Sequence, residues 1–240
     1  MYGVAHLAAL AAIVVAALVL VPWARRHRED PRTGPVLTGA GLVLLLVTLA
    51  WTAWGLLPAH WDVEQSLPLQ LSDVLRYVTA LALLTRRRAL IAICFFWGLT
   101  LNLQSVLTPD LNYVQVVWLE YLMYWLLHGA VLIVPIVFAA ALGYRPSWRD
   151  TATAYGALLA WALLALGVNL LVDANYGYLV HAPAGPSLLD VMGPWPTYLV
   201  VEALVIAAVW AGMTLQFAVR GRLSPAAPPA PAGRGSRSRS

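Results

Sequence analysis

The stretch L-P-L-Q-L-S-D-V-L-R-Y-V-T-A-L-A-L-L-T-R-R-R, residues 67–88, decides the fold class of this chain. It is an apolar run that carries Asp73 and Arg76 in its interior and ends in three consecutive arginines. A charge inside the hydrocarbon of a membrane costs roughly 2.5 to 3.5 kcal/mol on insertion scales, so Arg76 is retained only with a partner or in a watery cavity. The stretch predicts a transmembrane helix with a polar site built into it.

Six further apolar runs of similar length surround this one. The chain has 240 residues, of which 61% are hydrophobic and 11% charged, which is far from the composition of soluble proteins. About 20 apolar residues are needed to cross the hydrocarbon, and backbone at that depth must be helical because water does not reach its polar groups. We therefore predict an all-α, polytopic bundle of seven transmembrane helices. The runs cover about 3–23, 35–57, 67–85, 89–107, 115–142, 151–172 and 195–219.

The positions of the basic residues orient this bundle. All 15 are arginines, and except for Arg76 they follow the first, third, fifth and seventh runs, while the other three gaps contain none. The positive-inside rule then places the N-terminus outside and the C-terminus inside. No basic residue precedes the first run, so we expect an uncleaved anchor rather than a signal peptide. Membrane lipids are the predicted partners, with anionic headgroups at the cytoplasmic face, and nucleic acid binding is not indicated.

Composition divides the chain into residues 1–220, the membrane domain, and residues 221–240, a tail of Pro, Ala, Gly, Ser and Arg that we expect to be disordered and cytoplasmic. A single cysteine, Cys94, allows neither an internal disulfide nor a cysteine metal site. No nucleotide-binding, zinc-protease or nucleophile-elbow motif is present. The sequence thus indicates no cofactor and no metal, and it says nothing about the oligomeric state.

Polar residues in the runs are concentrated in the predicted outer half of the membrane. A helix rises about 1.5 Å per residue, so sequence position converts to depth once the direction of each span is known. Helices packed at random would carry stray polar residues in both halves, and the one-sidedness favours a shared polar pocket that opens outward and is built by helices three to seven. The predicted lining residues are Gln70, Ser72, Asp73, Arg76, Asn102, Glu120, His128, Asn169 and Glu202.

A purely structural interpretation of these residues stays open. Asp73 and Arg76 are three residues apart, so they can form an ion pair within one helix that only allows the helix to insert. Polar side chains also join membrane helices at about 0.6 kcal/mol each, and His128 can be a hydrogen-bonded core residue.

The last external segment, residues 173–194, is long and rich in proline and glycine, and it contains Asn175 and Tyr176. Long loops are often lids or binding elements. We predict a structured cap over the pocket, with a plain connector as the alternative.

Several short strings together resemble a known family. They are F-W-G-L at 96–99, T-P-D-L at 108–111, His128-Gly129, Y-R-P-S-W at 144–148, Asn169, N-Y-G-Y-L at 175–179 and S-L-L-D-V-M-G-P-W-P at 187–196. The chain, over roughly residues 35–217, resembles the YwaF-like bacterial integral membrane proteins, whose distant eukaryotic relatives are similar to acyltransferases that remodel ether phospholipids.

This resemblance implies a cysteine nucleophile with a histidine partner. The bacterial third helix opens L-P-L-H-L-C, whereas this chain has L-P-L-Q-L-S, so Ser72 occupies the cysteine position and Gln70 the histidine position. His128 matches the family. A hydroxyl has a much higher pKa than a thiol, so Ser72 needs a strong adjacent base to attack an ester.

Three functions follow from these residues. In the first, an acyltransferase or hydrolase, Ser72 is the nucleophile, His128 the base, Asp73 or Glu120 orients the histidine, and Arg76 holds phosphate. In the second, a lipid-binding or scaffold protein uses the same pocket without chemistry. In the third, a proton-coupled carrier relays protons through the carboxylates, but it needs a polar path to the cytoplasm that the inner halves of the helices do not offer.

Overall fold

The computed structural model describes residues 3–109, 116–183 and 187–223. Every regular element within those ranges is a helix, which confirms the predicted all-α class there. The α-helices are α1 (Val4–Arg26), α2 (Thr33–Gly55), α3 (Leu71–Thr85), α4 (Arg88–Leu99), α5 (Leu101–Leu107), α6 (Val117–Ile136), α7 (Trp148–Val172) and α8 (Thr197–Leu223). A π-helical turn, Val137–Ala141, extends α6, and the 3-10 turns Tyr176–Tyr178 and Leu188–Val191 lie between α7 and α8.

Six helical segments in the described ranges are long and apolar enough to cross a membrane. They are α1, α2, α4 with α5, α6 with its π turn, α7, and α8. Apolar side chains such as Leu18, Leu163 and Leu171 are 69%, 72% and 84% exposed, as expected for side chains that contact lipid. The chain is therefore a multi-pass helical membrane protein.

Helix α3 is shorter than the predicted third span. Its 15 residues rise about 22 Å, which is less than the roughly 30 Å of the hydrocarbon. The predicted span begins at residue 67, whereas α3 begins at Leu71 after Gln70 in an extended conformation, with φ −58° and ψ 143°. Pro68 disfavours helical geometry at the preceding residue and lacks a backbone N–H, so the chain enters α3 through turns. Ser72 and Asp73 thus lie in the first helical turn.

The predicted fourth span is broken at Thr100, whose φ of −122° and ψ of −71° separate α4 from α5. The Thr100 hydroxyl donates to the Phe96 carbonyl at 2.5 Å and accepts from the indole N–H of Trp210 at 3.0 Å. Trp210, which is fully buried and belongs to α8, therefore holds the break between α4 and α5 in place.

Helix α4 is the centre of the bundle and packs against α3, α6 and α7. Its Phe96 and Trp97 are fully buried, and the Trp97 indole donates to the Ala154 carbonyl at 3.1 Å. At Gly98 an added Cβ would lie 2.5 Å from the Val131 carbonyl oxygen, so α4 and α6 approach each other backbone to backbone. Around this centre α1 packs on α6, α2 on α3, and α8 on α7.

The arginine-containing gaps meet at one end of the bundle. Arg88 makes a two-pronged ion pair with Asp150, with distances of 2.9 Å and 2.6 Å, and also donates to the Arg145 carbonyl at 2.9 Å. Arg86 donates to the carbonyl of Gly34 at 3.2 Å. The alternation of basic gaps in the sequence thus corresponds to one basic end in three dimensions. Helix α8 continues to Leu223, and residues 224–240 of the predicted tail lie outside the described residues.

Candidate functional site

A buried ion pair lies in the first two turns of α3. The guanidinium of Arg76 donates to the carboxylate of Asp73, and the two side chains are only 8% and 13% exposed. The pair follows from the i, i+3 spacing, which places both residues on one face of the helix. Arg76 keeps one further donor, because its buried Nε has no hydrogen-bond partner among the described residues.

His128 lies on α6, within electrostatic range of Arg76 on α3. Its Nδ1 is 2.8 Å from the carbonyl oxygen of Tyr124, one helical turn earlier. Since a carbonyl only accepts, Nδ1 carries the proton and Nε2 is left as the lone-pair nitrogen. The Tyr124 ring stacks on the imidazole with centroids 4.0 Å apart.

Hydrogen bonds are seen for both carboxylates that were predicted to orient His128. Asp73 bonds to Arg76, and Glu120 accepts the backbone N–H of Val116 at 2.8 Å at the start of α6. The Nδ1 of His128 bonds to the backbone carbonyl of Tyr124, and the orientation of this histidine by a carboxylate stays a prediction. A carbonyl one turn away is already present in any helix, so orienting the ring requires no second helix.

Asn102 on α5 is 1% exposed, and its amide donates to the His128 carbonyl at 3.1 Å. Its buried Oδ1 has no partner within the described residues. The break at Thr100 turns α5 toward α6, and the contact joins the two helices at the level of His128.

Ser72 is half-buried in the first turn of α3. The described residues show no hydrogen bond between its hydroxyl and the imidazole of His128. Glu202 on α8 is also half-buried, and it makes no ion pair or hydrogen bond with another described residue. Of the predicted set, Asp73 bonds to Arg76, Asn102 bonds to the His128 backbone, and Arg76 and His128 interact electrostatically. Within the described residues, Ser72 and Glu202 make no hydrogen bond or ion pair to these four.

The other predicted site residues build a cap. Asn169 makes two hydrogen bonds to the backbone of Tyr176, at 2.8 Å and 3.0 Å. The Tyr176 hydroxyl donates to the Val63 carbonyl and accepts the N–H of Leu67 at 3.0 Å. The loop between α7 and α8 is therefore fastened to the segment that leads into α3.

Two further side chains complete this cap. Gln70 accepts the N–H of Gly177 at 3.2 Å. Asn175 accepts the N–H of Val180 at 3.0 Å and donates to the His181 carbonyl at 2.9 Å. Gly177 has a φ of +68° and lies against Trp161, where a Cβ would approach a ring carbon to 2.5 Å. In this structure Gln70, Asn169, Asn175 and Tyr176 hold the loop, and their contacts with a ligand stay a prediction.

Trp161 is a further cap residue, which the sequence analysis did not single out. Its indole N–H donates to the Leu69 carbonyl at 3.0 Å, just before α3 begins. A tryptophan in the middle of an apolar run has no distinguishing sequence signal, because its partner is a backbone carbonyl 92 residues away.

Asp73, Arg76 and His128 do not line either of two cavities at the surface of the described residues. One, of about 370 Å³, lies in the α7–α8 loop and at the start of α8. The other, of about 260 Å³, lies between α2 and α6 and is almost entirely apolar, with Trp51 and Trp54 on its wall. Arg76 and His128 are buried and lie outside both cavities.

No group of three or more His, Cys, Asp or Glu side chains that could hold a metal ion occurs in the described ranges. Cys94 is buried in α4, and its thiol lies 3.3 Å from the Thr79 hydroxyl.

Comparison with known proteins gives one family assignment. No curated protein and no solved structure matches the chain. The model of the TMEM164 family matches residues 1–214, which include every membrane-spanning segment except the last turns of α8. The chain therefore belongs to the TMEM164 family.

Proposed function

We propose that this protein binds a membrane lipid at the buried polar cluster of Asp73, Arg76, Asn102 and His128 and transfers or hydrolyses one of its ester-linked acyl chains. The observation that carries the proposal is the ion pair of Arg76 and Asp73 beside an imidazole whose Nδ1 is already bonded. Intramembrane charges are costly and mark functional sites more often than not.

The proposed location of the cluster follows from the topology. With the arginine-rich end of the bundle in the cytoplasm, the N-terminus lies outside, the C-terminus inside, and the cluster lies in the outer half of the membrane. The strings shared with YwaF-like proteins favour a bacterial plasma membrane as the location. Anionic headgroups would then contact the arginines at the inner end, and residues 221–240 would be a cytoplasmic tail.

The proposed reaction uses Ser72 and His128. The Ser72 oxygen attacks the ester carbonyl carbon while its proton moves to Nε2 of His128. The ester C–O bond then breaks, the imidazolium returns the proton to the departing lysolipid oxygen, and an acyl-serine remains. A second lipid hydroxyl or water releases the acyl group by the same proton transfers in reverse. Arg76, with an unused Nε–H, would hold the lipid phosphate.

Lipid binding without chemistry is the second candidate. It is favoured by the absence of a described hydrogen bond between the Ser72 hydroxyl and His128. Substrate binding or rotation of Ser72 must close that distance before a proton can move. Transport is less well supported, because alternating access also needs a polar path to the cytoplasm and the apolar runs carry few polar residues in their predicted inner halves.

Labelled acyl transfer tests the proposal. The purified protein in lipid nanodiscs would receive a phospholipid with an isotope-labelled acyl chain and an unlabelled lysophospholipid, and mass spectrometry would follow the label. We expect transfer or release of the chain by the wild type, and a loss of roughly 100-fold or more in Ser72→Ala and in His128→Gln. Ser105→Ala, at a half-buried serine on α5, is the matched control and should keep the activity.

The outcomes separate the two candidates. Equal label transfer in wild type, Ser72→Ala and protein-free nanodiscs would exclude catalysis at Ser72. If the wild type then still retains a defined lipid through purification and Arg76→Gln loses it, the cluster is a binding site without chemistry. No retained lipid and no transfer in any form would end the proposal.

A further inference from the structure

The cavity in the α7–α8 loop has the character of a cation-binding site. It measures about 370 Å³ and is lined by His181, Asp190, Trp195 and Tyr198 together with small and apolar residues. Small-molecule sites are typically apolar clefts with a few fixed polar groups, and this cavity has that composition.

The two large aromatic residues are held in place by their polar atoms. The Trp195 indole donates to the Leu179 carbonyl at 3.0 Å, and the Tyr198 hydroxyl donates to the Tyr178 carbonyl. With these atoms already bonded, both residues present aromatic ring surface to the cavity. Aromatic rings attract cations electrostatically, tryptophan most strongly.

Asp190 supplies a negative charge at the same place. One of its oxygens accepts the backbone N–H of Ser187 at 2.7 Å, which fixes the carboxylate at the start of a 3-10 turn. The other oxygen makes no hydrogen bond within the described part of the chain, so it is available to a ligand.

Fixed charges in the part of the sequence that forms the cavity have one sign. Between Arg149 and Arg220 the chain contains no arginine or lysine, while Asp173, Asp190 and Glu202 occur in that interval. Glu202 lies one helical turn after Tyr198 and interacts with it electrostatically. An anionic ligand would therefore be repelled from the cavity and a cation attracted.

We infer that this cavity binds an organic ammonium group, held between the rings of Trp195 and Tyr198 and the carboxylate of Asp190. Such a group is carried by small free amines and by the headgroups of zwitterionic lipids, and the cavity opens beside α8, where either can reach it. This inference does not depend on acyl transfer at Ser72, because the cavity shares no lining residue with the buried cluster.

Ligand-observed NMR tests the inference. The full chain in nanodiscs of phosphatidylglycerol, which has no ammonium group, would be titrated with choline chloride, and saturation transfer to the choline methyl groups would be measured. The uncharged isostere 3,3-dimethylbutan-1-ol is the matched ligand control. We expect saturable binding of choline and at least a five-fold weaker response to the alcohol.

Variants locate the site. Trp195→Leu and Asp190→Asn should each weaken choline binding about five-fold or more, because each removes one of the two attractions. The amide oxygen introduced by Asp190→Asn can still accept the Ser187 N–H, so this variant tests the charge with the turn kept intact. Trp148→Leu is the control, since Trp148 is 55% exposed at the opposite end of α7.

A second titration separates the two sources of the ammonium group. Nanodiscs that contain phosphatidylcholine should compete with free choline if a lipid headgroup reaches the cavity, and should leave choline binding unchanged if only free amines enter. Either result supports an ammonium site. Equal binding of choline and the neutral alcohol, unchanged binding in both site variants, or no binding from either source would overturn the inference.

Discussion

Asn169 and Tyr176 are joined by two hydrogen bonds: the Asn169 amide donates to the Tyr176 carbonyl at 3.0 Å, and its oxygen accepts the Tyr176 N–H at 2.8 Å. Both residues are almost completely buried. Helix α7 ends at Val172, and the N–H groups of Asp173 and Ala174 still bond to the Asn169 backbone carbonyl, whereas Tyr176 lies beyond these last helical bonds. One asparagine side chain replaces the missing backbone partners and directs the loop back over α3.

Asn169→Ala should destabilise the protein strongly. The Tyr176 N–H and carbonyl would remain buried without partners, at a cost of about 1 to 3 kcal/mol each. The measurement is the thermal unfolding midpoint in one detergent. Asn169→Asp keeps the hydrogen-bond acceptor and loses the donor, so its midpoint should lie between those of Asn169→Ala and the wild type. Gln104→Ala, at an exposed position on α5, should leave the midpoint almost unchanged. An unaltered midpoint in Asn169→Ala would contradict the role of these bonds.

The Tyr176 hydroxyl should make the stability of the cap depend on alkaline pH. Burial raises the pKa of Tyr176 above its ordinary value of 10. An unfolded tyrosine ionises near pH 10, so the contribution of the neutral phenol is complete below that pH and is lost as the pH rises through the raised pKa. We expect the stability difference between wild type and Tyr176→Phe to shrink as the pH rises above the ordinary tyrosine pKa of 10. A stability difference between wild type and Tyr176→Phe that stays constant as the pH rises would show that the ionisation of Tyr176 is not coupled to unfolding.

The Asp73–Arg76 pair can be tested for function separately from stability. Asp73→Leu should leave a buried, uncompensated guanidinium and cost about 3 to 5 kcal/mol. The double variant Asp73→Leu with Arg76→Leu removes both charges, and we expect its expression and unfolding midpoint to recover to at least the wild-type level. Its bound lipid and acyl transfer should nevertheless be lost. If the recovered double variant still binds the lipid or still transfers its acyl chain, the ion pair serves only the insertion of α3 into the membrane.

Two glycines give a matched test of helix packing. Gly98→Ala should lower the unfolding midpoint, because its Cβ would lie 2.5 Å from the Val131 carbonyl oxygen and the helices would have to separate. Gly156→Ala should raise the midpoint by the equivalent of up to about 1 kcal/mol, since alanine favours the helix and nothing lies within 4 Å of the added Cβ. Equal shifts in the two variants would exclude a close contact between α4 and α6 at Gly98.

The ion pair of the candidate site was predictable, and the orientation of the histidine was not. Asp73 and Arg76 lie three residues apart in one helix, so helical periodicity alone brings them together. The sequence offered two carboxylates as partners of His128, and it gave no sign that Nδ1 bonds to the Tyr124 carbonyl. Backbone carbonyls leave no mark on a sequence, because every residue has one.

The residues of the cap were identified as polar and unusual, but their role was not. Asn169 and Tyr176 are close in the chain, whereas Gln70 and Gly177 are 107 residues apart and Trp161 and Leu69 are 92 apart. No local pattern records which distant backbone group such a side chain meets, so a ligand contact and a loop contact look alike in the sequence.

The sequence by itself determined that this chain is a helical membrane protein, because runs of apolar residues of membrane length have no other stable conformation in lipid and because arginines in alternate gaps imply one basic end. It also determined the Asp73–Arg76 pair. Only the tertiary structure decided that α3 begins at Leu71, that the fourth span breaks at Thr100, and that Asn102 reaches the backbone of His128. Local periodicity follows from backbone geometry, whereas these features depend on contacts between helices that are distant in the sequence.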